Sequence, residues 1–300
     1  MTAQFAPGTG PVVVGVDGSD SALAAVRWAA AEARRRNAPL RLVTAFTWTT
    51  EHVVGLPALG EAYYDQLQTR ARRILTDAVA VAERAEPDGQ VLSEVLTGMP
   101  VGVLAEQSRG AQLLVLGTRG LGGLAGLLVG SVAVGLAAHA ACPVVVVRGE
   151  VREGRSELPV VVGVDGSPTS EAAVAFAFDA AAGRGVPLVA VHTWAQTAFD
   201  GEVAAMIDWD AVARDEQEVL AGRLAGWGQK YPDVEVRPVV ARDGAAHALV
   251  EQSRTAQLVV VGSRGRGNAA GLLLGSVSHG VLHRSRCPVA VVRPDVAAGE

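Results

Sequence analysis

Lysine is almost absent from this chain of 300 residues, since Lys230 in "GQKYP" is the only one and nearly all positive charge comes from arginine. A phosphate-binding P-loop needs Gly-Lys followed by Ser or Thr. Lys230 has neither neighbour, so the sequence excludes a P-loop. The net charge of −5 argues against a nucleic-acid partner, which needs a concentrated positive field. Small anionic ligands stay open, because backbone N–H donors can hold them without any lysine.

Only two cysteines occur, and each stands before a proline and a valine run: Cys142 in "CPVVVV" and Cys287 in "CPVAVV". Their equivalent places predict small buried side chains at strand starts rather than a disulfide or a metal pair. The N-terminal "MTAQFAPGTG" has neither the basic nor the apolar segment of a signal peptide. No apolar run reaches the ~18 residues of a spanning helix. The sequence therefore predicts a soluble cytoplasmic protein with no membrane partner.

The chain contains an internal duplication. "PVVVGVDGS" at residues 11–19 returns at 159–167, an offset of 148. "EQSRGAQLLVLGTRG" at 106–120 returns as "EQSRTAQLVVVGSRG" at 251–265, an offset of 145, with eleven of fifteen residues shared. A period of this length indicates two copies of a whole domain rather than a solenoid. We predict one domain over residues 1–150 and another over 151–300.

Within each copy, short β-branched runs alternate with amphipathic segments. "PVVVGVD" is typical of a strand buried on both faces, and "SALAAVRWAAAEARRRN" after it is typical of a helix. A polar helix is predicted at 65–86 and again at 211–229, and a third strand at 91–96 and again at 234–240. The alternation predicts an α/β fold, with a parallel sheet and helices on both faces. In such folds ligands bind at the carboxyl ends of the strands, where the strand order reverses.

A glycine-rich loop follows the fourth strand of each copy. The spacing is the same in both copies: Gly117-x2-Gly120-x9-Gly130-Ser131 and Gly262-x2-Gly265-x9-Gly275-Ser276. Glycines at a strand end allow positive φ angles and let a ligand approach the backbone closely. The closing Gly-Ser opens a helix, whose unpaired N–H groups and partial positive charge bind phosphate. The alternative is that the glycines only turn the chain.

Charged residues stand beside the loops. Asp17 and Asp165 end the first strand of each copy in "VGVDGS". There a carboxylate accepts hydrogen bonds from a ribose or a base, and the alternative is an Asx-type turn or a helix cap. Arg119 and Arg264 either reach a phosphate or are solvated surface arginines. The residues around the aspartates form no recognisable acid–base pair, so the sequence assigns no catalytic residue and no metal ligand.

These motifs together resemble the universal stress protein family of the adenine-nucleotide-binding kind, over nearly the whole chain as two tandem copies. The resemblance implies two Rossmann-like, adenine nucleotide alpha hydrolase-like domains, each a five-stranded parallel sheet flanked by helices. It implies that Asp17 and Asp165 contact the nucleoside, and that the main chain at Ala45 and Thr193 holds adenine. It assigns the loops and the residues after them to ribose and phosphates: Gly117, Gly120, Gly130, Ser131 and Val132, then Gly262, Gly265, Gly275, Ser276 and Val277.

The same resemblance implies an ATP-binding regulatory protein of the stress response, with one site in each domain and room for Mg²⁺ beside the nucleotide. Slow ATP hydrolysis and binding of another adenylate, such as cyclic AMP, stay open as alternatives. The family resemblance also implies that the two domains pair through their last strands and that chains form a homodimer. Two roles stay open for the aromatic residues near the variable segments, covering a base or packing helices: Trp48, Tyr63, Tyr64, Trp209 and Trp227.

Overall fold

The computed structural model of the chain describes residues 10–48, 57–120, 129–148, 156–194, 208–265 and 274–294. Contacts divide these residues into two compact units, one on each side of Val151. Each unit repeats the same order of strands and helices. Each is described by itself below.

The first unit is a five-stranded sheet in the order β3-β2-β1-β4-β5, and every pairing in it is parallel. The elements that the structure describes in this unit follow one another as β1 Val12–Gly15, α1 Asp20–Arg35, β2 Leu40–Phe46, α2 Pro57–Ala85, β3 Val91–Thr97, α3 Pro100–Ser108, β4 Leu113–Gly117, α4 Ser131–His139 and β5 Val144–Val147.

The second unit repeats this architecture, with its five parallel strands in the order β10-β9-β6-β7-β8. Its elements are β6 Val160–Gly163, α5 Pro168–Ala182, β7 Leu188–Thr193, α6 Trp209–Lys230, β8 Val236–Ala241, α7 Ala245–Gln252, a 3₁₀ turn Ser253–Thr255, β9 Leu258–Gly262, α8 Ser276–Arg284 and β10 Val289–Val292. The predicted α/β fold with parallel sheets is confirmed.

Burial explains why the valine runs form central strands. Val12, Val13 and Val14 have no exposed surface, because helices cover both faces of β1. Val12 pairs with Leu40 on one side and with Leu113 on the other. After β1 the chain adds β2 and β3 on one side of β1, and it then crosses to the other side to add β4 and β5. This reversal opens a crevice at the carboxyl end of β1.

The helices begin at capping residues that both copies share. The hydroxyl of Ser19 accepts from the N–H of Ala22 at 3.2 Å, and the hydroxyl of Ser167 accepts from Ser170 at 3.2 Å. These bonds satisfy one of the N–H groups that a helix start leaves unpaired. Pro168 takes the first helical position of α5, as predicted.

The start of α2 is the helix boundary that differs most from the sequence prediction. Helix α2 begins at Pro57 rather than near residue 65, since "PALGEAYY" continues the helix in the N-terminal direction. In the second unit, α7 begins at Ala245 although the proline of the first copy, Pro100, is missing there. Nδ1 of His247 and the N–H of Gly244 both lie 2.6 Å from the carboxylate of Asp243, and these contacts hold the start of α7.

Both cysteines are free and buried at the starts of strands, as predicted. Burial raises the pKa of the Cys142 thiol to about 12. This thiol therefore stays protonated and packs as a small apolar side chain. No helix in the described part of the chain is long and apolar enough to span a bilayer.

Candidate functional site

Each unit has a cleft at the carboxyl ends of its central strands. The first cleft has a volume of about 250 Å³ and the second about 420 Å³. All eight residues predicted from the first copy line the first cleft: Asp17, Ala45, Gly117, Arg119, Gly120, Gly130, Ser131 and Val132. All eight predicted from the second copy line the second cleft: Asp165, Thr193, Gly262, Arg264, Gly265, Gly275, Ser276 and Val277. The structure thus brings together residues that lie about 100 positions apart in sequence.

The aspartate at the end of the first strand shapes the chain and also faces the cleft. Oδ1 of Asp17 accepts from the N–H of Ser19 at 3.0 Å and from its hydroxyl at 2.7 Å. Asp165 repeats the first of these bonds with Ser167 at 2.9 Å. These are the Asx turns weighed in the sequence analysis. The other carboxylate oxygen, Oδ2, points toward the glycine loop in both units.

The second glycine of each loop makes room for that oxygen. A Cβ added at Gly120 would overlap Oδ2 of Asp17, and one added at Gly265 would lie 2.5 Å from Oδ2 of Asp165. Neither glycine can therefore carry a Cβ unless the aspartate moves, because real Cβ atoms do not approach other atoms this closely. The pair therefore presents a carboxylate oxygen and a loop backbone side by side at the cleft wall.

The first glycine of each loop is required by packing against a helix. A Cβ at Gly117 would lie 2.6 Å from the main chain of Ser21, and one at Gly262 would lie 3.0 Å from the main chain of Thr169. None of the six motif glycines has a positive φ angle. Close approach between backbones, rather than a left-handed conformation, explains the glycines here.

The last glycine closes the loop and opens a helix. The N–H of Gly130 donates to the carbonyl of Thr118 at 2.7 Å, and the N–H of Gly275 donates to Ser263 at 2.9 Å. Both glycines are extended N-cap residues without a side-chain cap bond. The first-turn N–H groups of α4 and α8 are therefore left to bind a ligand, with the positive end of each helix dipole behind them. An anion is the group that this arrangement attracts.

The main chain of Ala45 lies beside the cleft because β1 is shorter than β2. The carbonyl of Val43 accepts from the N–H of Val16 at 2.8 Å, which is the last main-chain hydrogen bond toward β1 among the described residues. The carbonyl of Phe46 points to the other side and accepts from the N–H of Gly98 at 2.9 Å. Since the peptide groups along a strand alternate in direction, those of Ala45 point to the side where β1 has already ended. The same holds for Thr193, since Val191 bonds Val164 and Trp194 bonds Ala241.

Two hydroxyls that the sequence analysis missed position the loops. Ser21 and Thr169 each donate to the main-chain carbonyl of the loop arginine, Arg119 in the first unit and Arg264 in the second. Oγ of Ser19, which donates to Asp17, also lies 3.1 Å from the carbonyl oxygen of Arg119. A signal was available, because both copies place a hydroxyl residue four positions after the aspartate. The two arginine side chains themselves lie exposed at the rim of the clefts.

The central residues of each loop, 121–128 and 266–273, lie outside the described residues. Among the residues that are described, no group of three or more His, Cys, Asp or Glu side chains is placed to hold a metal ion. The described part of the first cleft contains one carboxylate, that of Asp17, and the described part of the second contains that of Asp165.

A family model described as the universal stress protein family matches residues 9–148 and again residues 158–293. The chain belongs to the universal stress protein family. Two universal stress proteins of Mycobacterium tuberculosis are each 44% identical to it, over 288 and 289 residues, which is 94% of this chain and 96% of each relative. The crystal structure of a universal stress protein from Archaeoglobus fulgidus covers 95% of this chain and 98% of its own, with 20% identity and a TM-score of 0.70.

The two clefts of this universal stress protein differ in the polarity of their walls. Ala22 and Ala133 of the first unit are replaced by Ser170 and Ser278 in the second, and both serines line the second cleft. The hydroxyl of Ser278 donates to the carbonyl of Ser263 at 3.0 Å. Another change enlarges the second cleft, because Ala245 replaces Pro100 at its wall. The second cleft is therefore wider and richer in hydroxyl groups.

Proposed function

We propose that each unit of this universal stress protein binds an adenine nucleotide, with ATP as the ligand, and that the protein acts as a nucleotide-responsive regulator. The observation that supports this most is the same in both units: one cleft gathers the strand-end aspartate, the glycine loop and an uncapped helix N-terminus. The family resemblance assigned these residues to the nucleoside and to the phosphates.

The fit of each part of the nucleotide follows from the chemistry of the walls. The N–H groups at the starts of α4 and α8, with the hydroxyls of Ser131 and Ser276, suit phosphate oxygens. The carboxylates of Asp17 and Asp165 suit ribose hydroxyl donors. The main-chain groups of Ala45 and Thr193, left unpaired by the shorter neighbouring strand, suit the donor and acceptor pattern of adenine. Hydrogen bonds to a charged group contribute about 1.5–3 kcal/mol each, so a few of them support micromolar binding.

The test substitutes one glycine in each unit, because a methyl group at that position would contact only the aspartate that faces the cleft. Gly120→Ala forces a Cβ onto Oδ2 of Asp17, and Gly265→Ala does the same at Asp165. Titration calorimetry with ATP on the full chain should give two sites in the wild type. In each single variant, one of the two sites should lose ATP binding or bind ATP at least about tenfold more weakly, which is a change of about 1.4 kcal/mol in binding free energy. The double variant should lose both.

Matched controls come from glycines with open surroundings. A Cβ at Gly102 in α3 or at Gly222 in α6 meets no atom within 4 Å. Gly102→Ala and Gly222→Ala should therefore keep both ATP sites, and circular dichroism should show all variants folded. Two unchanged ATP sites in a folded double variant would overturn the proposal.

The same samples separate the alternatives. Competition of AMP and cyclic AMP against ATP ranks the adenylates. Steady phosphate release with Mg²⁺ that scales with protein and is lost in the double variant would make the protein a slow ATPase instead. The cytoplasmic location, the pairing of the units through their last strands and the homodimer stay predictions. Sedimentation of the full chain with and without ATP tests the homodimer.

A further inference from the structure

The outer strand of the sheet differs between the two units. Among the described residues, β3 pairs with β2 alone and β8 pairs with β7 alone, so each strand forms one edge of its unit. A strand at an edge turns one row of N–H and C=O groups away from its sheet, where another strand can pair with them. The residues that line the two clefts come from other elements. Nothing in the proposed function therefore uses these edges.

The hydrogen bonds to β2 determine which main-chain groups of β3 face outward. The N–H of Leu40 donates to the carbonyl of Gln90 at 2.9 Å. The N–H of Gly98 donates to the carbonyl of Phe46, also at 2.9 Å. The seven residue pairs between these two bonds follow one another without a bulge. Because peptide groups alternate in direction along a strand, the even-numbered residues bond β2. The outward-facing groups of β3 belong to Val91, Ser93, Val95 and Thr97.

In β8, a proline occupies one of the outward positions. The N–H of Leu188 donates to the carbonyl of Glu235 at 2.8 Å. The N–H of Trp194 donates to the carbonyl of Ala241 at 3.2 Å, so the odd-numbered residues of β8 bond β7. The nitrogen of Pro238 therefore faces outward, where it has no hydrogen to donate. A proline at such a position leaves its own sheet intact and hinders the addition of another strand.

The first unit lacks this proline and the charged pair beside it. With the offset of 145, Ser93 takes the place of Pro238, and Leu92 takes that of Arg237. Arg237 donates to both carboxylate oxygens of Glu235, at 2.8 and 3.0 Å. Charged side chains on an edge strand also discourage pairing. Leu92 is apolar and 40% exposed. The edge of the second unit is therefore protected against another strand, and the edge of the first unit is open to one.

We propose that two copies of this chain pair through β3, edge to edge and antiparallel. Ser93 of both copies lies at the two-fold axis, and Val91 of each copy lies opposite Val95 of the other. Each of these pairs exchanges two main-chain hydrogen bonds. The contact is self-complementary, as a two-fold dimer requires. It names a surface for the predicted homodimer and does not depend on nucleotide binding.

Charge complementarity favours a second copy in this register. Glu94 of each copy lies opposite Leu92 of the other, and Leu92 shares one face of the sheet with Arg41, its partner on β2. Because neighbouring strands lie about 4.8 Å apart, the carboxylate of Glu94 can reach Arg41 of the other copy. Arg41 donates to Gln107 from Nη1 at 3.2 Å, and a guanidinium has further N–H groups to offer. A register centred on Glu94 would place two carboxylates opposite each other, and one centred on Val95 would carry Glu94 away from Arg41.

The experiment measures self-association of the full chain by sedimentation equilibrium. We expect the wild type to form a dimer. Ser93→Pro removes the outward N–H and copies the edge of the second unit, so the dissociation constant of the dimer should rise at least about tenfold. Ser93→Ala keeps that N–H and is the matched control, which should dimerise as the wild type does. ATP affinity should be the same in all three proteins, so loss of ATP binding would contradict the proposed function and not this pairing.

Two cysteine variants test the register. Leu92 and Glu94 of different copies form a non-hydrogen-bonded pair, with Cα atoms about 4.5 Å apart. The two copies of Leu92 lie diagonally, about 7–8 Å apart, which is too far for a disulfide. Oxidation should therefore cross-link a mixture of Leu92→Cys and Glu94→Cys chains but not Leu92→Cys chains alone. Both native cysteines are buried and should not take part.

A second variant keeps the test decisive if Ser93→Pro does not fold. Leu92→Arg copies the residue of the second unit, keeps every main-chain group and changes an exposed side chain. It should weaken the dimer about threefold or more, because the new charge lies beside Arg41. The proposal is overturned if the wild type stays monomeric at about 100 µM. It is also overturned if a folded Ser93→Pro or Leu92→Arg chain dimerises as tightly as the wild type, since the contact would then lie elsewhere.

Discussion

The two units pair an equivalent backbone carbonyl, just after their first strand, with different side chains. In the first unit, the hydroxyl of Thr44 donates to the carbonyl of Val16 at 2.9 Å. In the second unit, Nδ1 of His192 lies 2.7 Å from the carbonyl oxygen of Val164, and Nε2 lies 2.9 Å from Oε2 of Glu216. The duplication matches Ala71 of the first unit with Glu216.

This difference shows that residues of the two copies change in sets. A buried carbonyl at a strand end needs a donor. A threonine meets this need alone, whereas a buried histidine brings a second ring nitrogen that needs its own partner. At the other end of the sheet, Ala30 and Ala82 of the first unit are matched by Phe178 and Trp227, which stack on each other and so also differ as a set. The four predictions below test how independent the two units are, from the largest expected effect to the smallest.

The largest effect is expected in the aromatic stack of the second unit. Phe178 has no exposed surface and contacts two rings. Phe178→Ala should lower the free energy of unfolding by about 3–5 kcal/mol, because it removes a buried ring and leaves a cavity. The matched change in the first unit, Ala30→Gly, should cost only about 0.5–1 kcal/mol. Urea unfolding followed by circular dichroism measures both, and similar losses for the two variants would contradict the comparison.

A smaller effect is expected where the glycine loops meet the helices. Gly117→Ala should destabilise the first unit by about 1–3 kcal/mol, because the new Cβ would lie 2.6 Å from the main chain of Ser21. Gly262→Ala should cost less, since its nearest contact is 3.0 Å. Thermal unfolding of the two variants tests this order. Gly222→Ala, in open space on α6, serves as the control and should be neutral or stabilising.

The histidine pair should show coupling. Glu216→Ala alone removes the partner of Nε2 of His192 and should lower the free energy of unfolding by about 1–2 kcal/mol. His192→Thr with Glu216→Ala installs the arrangement of the first unit, so the double change should cost less than the sum of the two single changes. A double-mutant cycle from denaturant unfolding measures the coupling. Additive losses would mean that the two residues act independently.

The smallest effect concerns pH and is expected in the second unit alone. The hydrogen bond that the imidazole of His247 donates to the carboxylate of Asp243 raises the pKa of His247 above its ordinary value and lowers the pKa of Asp243. The stabilisation from His247 is therefore fully present below pH 6.5 and is lost as pH rises through its folded pKa. The stabilisation from Asp243 is present above the ordinary pKa of an aspartate and is lost as pH falls through the lowered pKa of Asp243. Gly98 and Gly102 replace the pair in the first unit.

An NMR titration of the imidazole protons follows this pair directly. His247 should titrate above the pKa of an unstructured histidine in the wild type. In Asp243→Asn its pKa should fall toward the ordinary value, while the pKa values of the other histidines should not move. A His247 titration that is the same in both proteins would show that the contact does not form.

Much of the fold could be read from the sequence because its signals are local. The valine runs identify buried strands, Ser19 and Ser167 mark helix starts, and the repeated "VGVDGS" reveals the duplication. Parallel strands then bring their carboxyl ends to one edge. All sixteen site residues named from the motifs and the family resemblance lie among the residues that line the two clefts. The start of α2 at Pro57 was missed, since nothing in the segment before it marks a cap.

The sequence by itself determined the two-copy α/β plan, the strands, the loop spacing and the edge at which the clefts open, because these follow from local periodicity and from the repeat. Only the tertiary structure decided what each glycine is for. Gly117 is set by the main chain of Ser21, and Gly120 by the carboxylate of Asp17, both about 100 residues away. It also decided that Ala30 and Ala82 are buried while their counterparts form a ring stack. Such contacts depend on how elements far apart in the sequence pack together, and no local pattern of residues specifies that packing.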